Sequence, residues 1–180
     1  MQAALEVSAE SGPQDISLRG LARKLGVTTA APYHHLRDKG ELLLLLAIEG
    51  YSRLLEQLQA AETKFSAPAK NIDSLTRAYL QFGREEPGYY RIMFLREVAQ
   101  ANNVMQLEEP AAQCFDLVRG VIAKANKSLS SDQVSERTVS VWSFLHGMLL
   151  LSLSGPLARR LAPEHEDRVA IETVMRIIRG

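Results

Sequence analysis

The chain has 180 residues and a mass of 20.0 kDa, enough for one ordinary domain, or one with a small appendage, around a sizeable core. Its 46% hydrophobic and 23% charged residues describe a folded chain, not a disordered tail, and 21 basic residues against 21 acidic ones exclude a uniformly basic coat for nucleic acid. The single cysteine, Cys114, excludes an intramolecular disulfide framework and a cysteine-rich zinc site.

In chain order, nearly every periodic segment predicts helix. The start, MQAALEVSAESG, has no basic n-region of a signal peptide, so the default expectation is a cytoplasmic protein. Residues 3–11 put Ala4, Leu5 and Ser8 on one face, and Gly12-Pro13 ends that helix. Ser17 is an N-cap for a short helix carrying Leu18, Leu21, Ala22 and Leu25, and Gly26 is its left-handed terminator. Thr28 caps the next short helix, TTAAPYHHL. Asp38 with Glu41 three residues on forms a capping-box pattern, and a long helix follows from Lys39 to about Lys64, with Leu42, Leu45, Leu46, Leu54, Leu55 and Leu58 on its apolar face.

Pro68 opens a helix to about Arg84, Pro87-Gly88 breaks it, and a short aromatic helix YYRIMFLRE follows. Gln100 to Glu109 reads as a loop, with Pro110 near the start of a helix bearing Ala111, Cys114, Phe115, Val118, Ile122 and Ala125. A long helix runs from about Ser131 to Ser154. Beyond Gly155-Pro156 and Pro163, a last one carries Val169, Ala170, Val174, Ile177 and Ile178. The uncharged stretch between Arg137 and Arg159 is interrupted by serines, glycines and Pro156, so a deeply buried helix is expected and no membrane span. No strand pattern or repeat emerges. The fold class is all-α, with about nine helices.

Charge becomes informative when made local. Between Ile16 and Lys39 stand Arg19, Arg23, Lys24, Arg37 and Lys39 against Asp38 alone. The same window holds two short helices joined at Gly26-Val27, the spacing of a helix-turn-helix, in which the second helix lies in the DNA major groove. That helix presents Thr28, Thr29, Ala30, Tyr33, His34 and His35, with Ser17 and Arg19 at the start of the helix before it. Hydroxyls and ring N–H groups suit phosphate oxygens, and methyls suit thymine. No Arg, Asn or Gln stands there for bidentate base contacts, so phosphates and DNA shape are expected to carry more of the recognition. The adjacent His34 and His35 point about 100° apart on a helix and no other ligand cluster supports them, so no metal is expected.

The run SLRGLARKLGVTTAAPYHHLRDKGELL, Ser17 to Leu43, closely resembles the DNA-binding segment of TetR-type transcriptional regulators. The resemblance is specific over residues 1–50 and mainly one of helix lengths beyond, except that Trp142, His146 and Gly147 form a Trp-x-x-x-His-Gly pattern similar to a ligand-binding C-terminal domain of one TetR branch. It implies that Thr28, Tyr33 and His35 meet phosphates, that Lys39 meets the backbone too, and that Thr29, Ala30 and His34 face base edges or nearby phosphates. Two departures stand out. The family pattern usually has a basic arm before the first helix, whereas Met1 here lies inside it; without an arm, DNA affinity and its salt slope are expected to be smaller. Pro32 stands where the family mostly has Leu or Ile, although the form APYHH also occurs in the same branch, and it predicts a slightly distorted helix.

The expected organisation is a helix-turn-helix domain at residues 1–45 and an effector-binding and dimerisation domain at 46–180, paired as a two-fold dimer on a palindromic operator in double-stranded DNA. Candidate pocket residues are Tyr79, Phe82, Tyr89, Tyr90, Met93, Phe94, Cys114, Phe115, Trp142 and His146, with His146 as a polar handle. The same residues read equally as plain core, and Cys114 as inert or redox-sensing. Ser140, Ser143, Gly147, Leu150 and Ser154 on one helix, with Val174, Ile177 and Ile178 on the last, are the candidate dimer interface; intramolecular packing is the alternative. Catalytic signatures are missing, and neither an enzyme nor a cofactor is expected. The function implied is a ligand-responsive regulator, a repressor released by a small molecule. The alternatives are a helical small-molecule binder and a DNA-binding protein without an effector.

Overall fold

The structure, a computed structural model, describes residues 1–62 and 67–179. Among them are nine α-helices and two 3-10 turns, and no strand. The helices are α1 (Gln2–Glu10), α2 (Leu18–Lys24), α3 (Lys39–Glu62), α4 (Pro68–Glu85), α5 (Pro87–Met93), α6 (Arg96–Ala99), α7 (Met105–Ala125), α8 (Ser131–Leu153) and α9 (Pro163–Arg179); the 3-10 turns are Pro13–Asp15 and Ala31–His34. The expected extension of the long helix to Lys64 lies outside the described residues. No helix among the described residues is long and apolar enough to cross a membrane.

Two compact units emerge, each built from two stretches of chain. The first comprises Met1–Arg53 with Glu86–Ala111, and the second Leu54–Glu85 with Ala112–Gly180. The expected boundary at residue 45 falls inside α3, which continues unbroken past it.

In the first unit, α1 packs on α5 through an approach that only glycine permits. A Cβ on Gly88 would stand 2.6 Å from the Leu5 carbonyl oxygen, which is backbone and has nowhere to move. The Ser8 hydroxyl donates to the Gly88 carbonyl at 2.9 Å. Arg91 Nη1 donates to the carbonyls of Ser8 and Ala9 at 3.0 and 2.9 Å, which satisfies acceptors that the end of α1 leaves over. Ala4, Ile16, Leu43, Leu46, Tyr90, Ile92 and Val98 fill the core. On α3 Leu42, Leu46, Leu54 and Leu58 of the expected face are inside and Leu43 and Leu44 join them, while Leu45 is 40% exposed and Leu55 half-buried.

The second unit stacks the end of α3, then α4, the rest of α7, α8 and α9. Gly83 of α4 sits where a Cβ would run into Leu149 of α8, so these helices cross closely. Helix α9 is tied at both ends. Near its start, Glu166 is 2% exposed; its carboxylate accepts from Arg84 Nη2 at 3.0 Å and from the Ser152 hydroxyl at 2.9 Å, and Arg84 also meets Asp167 at 2.8 Å. Near its end, Arg137 Nη1 donates to the Ile177 carbonyl at 2.6 Å and the Asn126 amide donates to the Ile178 carbonyl at 3.3 Å. Ser130 caps α8, with Gln133 returning the bond to complete the box.

Two local expectations are corrected. The segment Gln100 to Glu109 is not all loop: α7 begins at Met105, and Pro110 lies within it. The segment after Gly26 is not an α-helix with a Thr28 cap but one four-residue 3-10 turn entered from Ala30, with no side-chain cap. Pro32 supplies the reason. It has no N–H to give Thr28 and it restricts Ala31, so bonds of the tighter i to i−3 kind, Tyr33 to Ala30 and His35 to Pro32, hold the turn.

Candidate nucleic-acid interface and ligand cavity

The stretch from Thr28 to His35 is displayed between two firmly capped helices. At the front, the Ser17 hydroxyl accepts from the Gly20 N–H at 3.1 Å and starts α2. Gly26 ends it at φ +67°, where a side chain would be strained. The Gly26 N–H donates to Arg23 and the Val27 N–H to Ala22, the paired bonds of a Schellman stop. At the back, Asp38 Oδ1 accepts from the Glu41 N–H at 2.9 Å. The box closes one residue early: Glu41 Oε2 accepts from the N–H of Arg37, not of Asp38, at 2.6 Å. That bond, and then the Arg37 guanidinium, holds the Glu41 carboxyl below the usual carboxylate range.

Between these caps Thr28, Thr29, Ala30, Tyr33, His34 and His35 are all exposed, as are Ser17 and Arg19 before them. Lys39 is half-buried and its Nζ donates to the Gln14 carbonyl at 3.3 Å. Local charge is weaker than the cation count suggests. Lys24 is matched by Glu6 at 2.8 Å and Arg37 by Glu41 at 3.2 Å, while Arg19 and Arg23 have no ion pair among the described residues. Sequence reasoning missed two members of this surface. Leu25 and Val27 are 61% and 47% exposed beside Tyr33 at 52%, so the turn carries apolar groups in water. Leu25 was expected on the buried face of α2; it lies instead at the C-cap, where the helix has already turned away.

The second unit holds a partly open apolar cavity of ≈ 30 Å³, room for one or two waters. Five helices line it: α3 with Leu58; α4 with Ile72, Leu75, Thr76 and Tyr79; α7 with Val118, Val121 and Ile122; α8 with Val141, Trp142 and Leu145; and α9 with Val174 and Ile178. Of the candidate pocket residues, Tyr79 and Trp142 lie on this wall, edge to face with ring centres 5.7 Å apart, and Phe115 stands behind Trp142 at 6.4 Å. Phe82 and Cys114 are fully buried elsewhere in the same unit, and burial pushes the Cys114 thiol up to about 12. His146 is half-buried, which lowers its imidazole below the ordinary value of 6.5.

Tyr89, Tyr90, Met93 and Phe94 are not on the cavity wall; they belong to the first unit. Phe94 packs against Tyr90 and Tyr51 with ring centres 5.1 and 6.0 Å apart, and the Arg53 guanidinium lies 5.0 Å over Tyr89. The lining is mainly aliphatic, and a search for aromatics passes over it. Its one signal in the sequence is a Leu, Ile or Val at helical spacing, which every core helix carries.

On α8 the candidate dimer residues Ser140, Ser143, Leu150 and Ser154 are exposed and Gly147 is half-exposed, with open space where its Cβ would be. The hydroxyls of Ser140 and Ser154 donate to the carbonyls of Glu136 and Leu150 on their own helix, which leaves a smooth face beside the exposed Val139 and Leu151. On α9, Val174 and Ile178 point inward to the cavity and Ile177 is half-buried, so Val169, 40% exposed, is the apolar group that helix offers outward.

Comparison with known proteins extends this geometry. Residues 1–46 match the model of the bacterial regulatory proteins of the tetR family, and residues 72–176 match that of the tetracyclin repressor-like C-terminal domain. An uncharacterised HTH-type transcriptional regulator, YobS of Bacillus subtilis, is 26% identical over 151 residues, 84% of this chain and 75% of its own length. Among solved structures, a Rhodococcus sp. RHA1 protein of unknown function superposes with a TM-score of 0.80 at 26% identity, covering 99% of this chain and 91% of that one. The TetR family regulator PfmR of Thermus thermophilus shares the fold at a TM-score of 0.74 and 20% identity, covering 99% and 96%. The second matched model alone spans more than half of the sequence: the chain belongs to the TetR family, transcription regulators that bind DNA through an N-terminal helix-turn-helix and answer to a ligand through the C-terminal domain.

Proposed function

We propose that this regulator is a repressor which binds a palindromic operator as a two-fold dimer and is released from it by a small molecule in the second unit. The observation that carries the reading is the display of Thr28, Thr29, Tyr33, His34 and His35, all exposed, between two helices whose ends are fixed by Ser17, Gly26 and Asp38. Thr28, Tyr33, His35 and Lys39 are assigned to phosphates, and Thr29, Ala30 and His34 to base edges or nearby phosphates, with Ser17, Arg19 and Arg23 flanking them. Helix α3 couples the two activities. It begins with the Asp38 cap beside the reading segment and carries Leu58 to the cavity wall within one continuous helix of 24 residues. Ligand and operator then weaken each other by the same factor, typically about 1–3 kcal/mol. Of the Trp142-x-x-x-His146-Gly147 pattern that resembles one C-terminal branch, Trp142 lines that wall and His146 and Gly147 do not.

Fluorescence anisotropy on duplexes tiled across the gene's own upstream region tests this at two salt concentrations. One palindrome-containing duplex is expected to bind tightly, more weakly at higher salt, and about tenfold more weakly after Tyr33→Ala, which removes a hydrogen bond to a charged group. Equal binding to every duplex, or an unchanged affinity in Tyr33→Ala, would defeat the assignment. The small volume of the cavity favours a second reading, a DNA-binding protein without an effector; in that case no small molecule shifts the operator isotherm.

A further inference from the structure

We propose that the cavity of the second unit selects an uncharged apolar guest, an aromatic or aliphatic molecule, and turns away acids and amines of the same size. This rests on the ligand-responsive reading above and adds the chemistry of the ligand. Ten of the thirteen lining residues are Leu, Ile or Val, and none is charged. Of the other three, Thr76 donates its hydroxyl to the Ile72 carbonyl at 2.8 Å, so that proton is already engaged. Tyr79 and Trp142 present ring surfaces to the space. A carboxylate or ammonium entering such a wall loses its hydration and gains no opposite charge, whereas a hydrocarbon loses nothing.

The surroundings indicate how the guest gets in. A cleft of ≈ 230 Å³ opens between the start of α4, the end of α7 and the end of α9, and it shares Ile72 and Ile178 with the cavity. Those two residues border both spaces. Polar groups stop on the outer side: the Asn126 amide bonds the Ile178 carbonyl there, and the exposed Arg179 borders the same cleft. The present ≈ 30 Å³ does not hold a molecule of effector size, so occupancy requires lining side chains to move, with Ile72 and Ile178 the ones nearest the cleft. The one competing arrangement is an amphiphilic acid, its tail inside and its carboxylate on Arg179.

Trp142 is the only tryptophan of the chain and lies on the wall, so its emission reports occupancy directly. The experiment titrates the intact protein at pH 7.5 with n-butylbenzene, 3-phenylpropionate and 3-phenylpropylamine, reading Trp142 emission and the melting temperature together. Butylbenzene is expected to shift the emission saturably and raise the melting temperature, with the acid and the amine weaker by at least about a hundredfold. Val141→Phe, which fills the space, is expected to abolish the butylbenzene response. The proposal is overturned if the acid binds as tightly as butylbenzene, and an acid response lost in Arg179→Ala would establish the amphiphile instead. It is equally overturned if none of the three moves Trp142 up to its solubility limit. Operator anisotropy on the same samples keeps the two readings apart: a protein that selects its operator but ignores butylbenzene remains a regulator with a different ligand.

Discussion

Cys114 shows how far burial alone decides the chemistry of a side chain. Its thiol is fully buried and pushed up to about 12, which leaves almost no thiolate near neutral pH. Native protein at pH 8 is therefore expected to be silent toward a chromogenic aromatic disulfide and to release one equivalent per chain after denaturation; rapid stoichiometric reaction of the folded protein would show the site to be open. His146 answers to burial in the opposite direction. Its folded-state value is lowered below 6.5, so the unfolded chain binds more protons over that range and stability rises with pH there. The contribution is present above pH 6.5 and is lost as pH falls through the lower folded value. Melting temperatures between pH 7.5 and 5 are expected to fall more steeply for the native protein than for His146→Gln. Parallel curves would remove His146 as the cause. The hydrogen bond from the Arg37 N–H to Glu41 has the same sense in an exposed setting, so its help to the α3 cap fades as acid protonates Glu41.

At the scale of elements, the two ends of α9 carry a polar frame around an apolar wall. Glu166 is 2% exposed and its carboxylate accepts from both Arg84 and Ser152. Glu166→Gln keeps an acceptor for Ser152 but removes the charge facing Arg84. Because Arg84 is itself a quarter exposed, the loss is expected to fall below that of a fully buried pair, at about 2 kcal/mol, lowering the melting temperature by roughly 4–8 °C. An unchanged melting temperature would mean that water replaces Glu166 at no cost. Three element ends marked by chemistry were legible in the sequence: Ser17, Gly26 and Asp38 each act in capping where their residue type predicts. Elements bounded only by polarity were not. Residues 105–109 look like loop because Gln and Glu dominate, yet they form the first turns of α7, where polar residues face solvent. The reading turn failed differently: Pro32 was seen, but the loss of one N–H in so short a segment changes the whole helix type, and periodicity carries no signal for that. The cavity was half legible. Tyr79 and Trp142 stand out by size, while the aliphatic wall is indistinguishable from ordinary core until the helices are placed together.

The balance of the whole molecule, zero net charge with a modest positive window, sets a requirement for assembly. Arg19, Arg23 and Lys39 are the cations of that window without an ion pair among the described residues, so one reading segment offers few charged contacts to phosphate. Two segments on one operator double those contacts and the salt slope with them. The smooth face of α8 is the surface suited to bring them together: Leu150 and Leu151 are 41% and 52% exposed, the hydroxyls of Ser140 and Ser154 are turned onto their own helix, and the open space at Gly147 lets a second helix approach. Across a two-fold axis each residue of such a face lies near its own mate or near a mate's neighbour, so one substitution acts twice. Leu150→Glu places two carboxylates in that seam while disturbing little inside the subunit, since the side chain already faces water. Sedimentation equilibrium at micromolar concentration is expected to show about 40 kDa for the native protein, twice the 20.0 kDa chain, and about 20 kDa for the variant, with an unchanged helical signal. Operator affinity is expected to fall with the mass, because each half-site then binds alone. A variant that stays at twice the chain mass and holds its operator as before would place the dimer seam elsewhere than on α8.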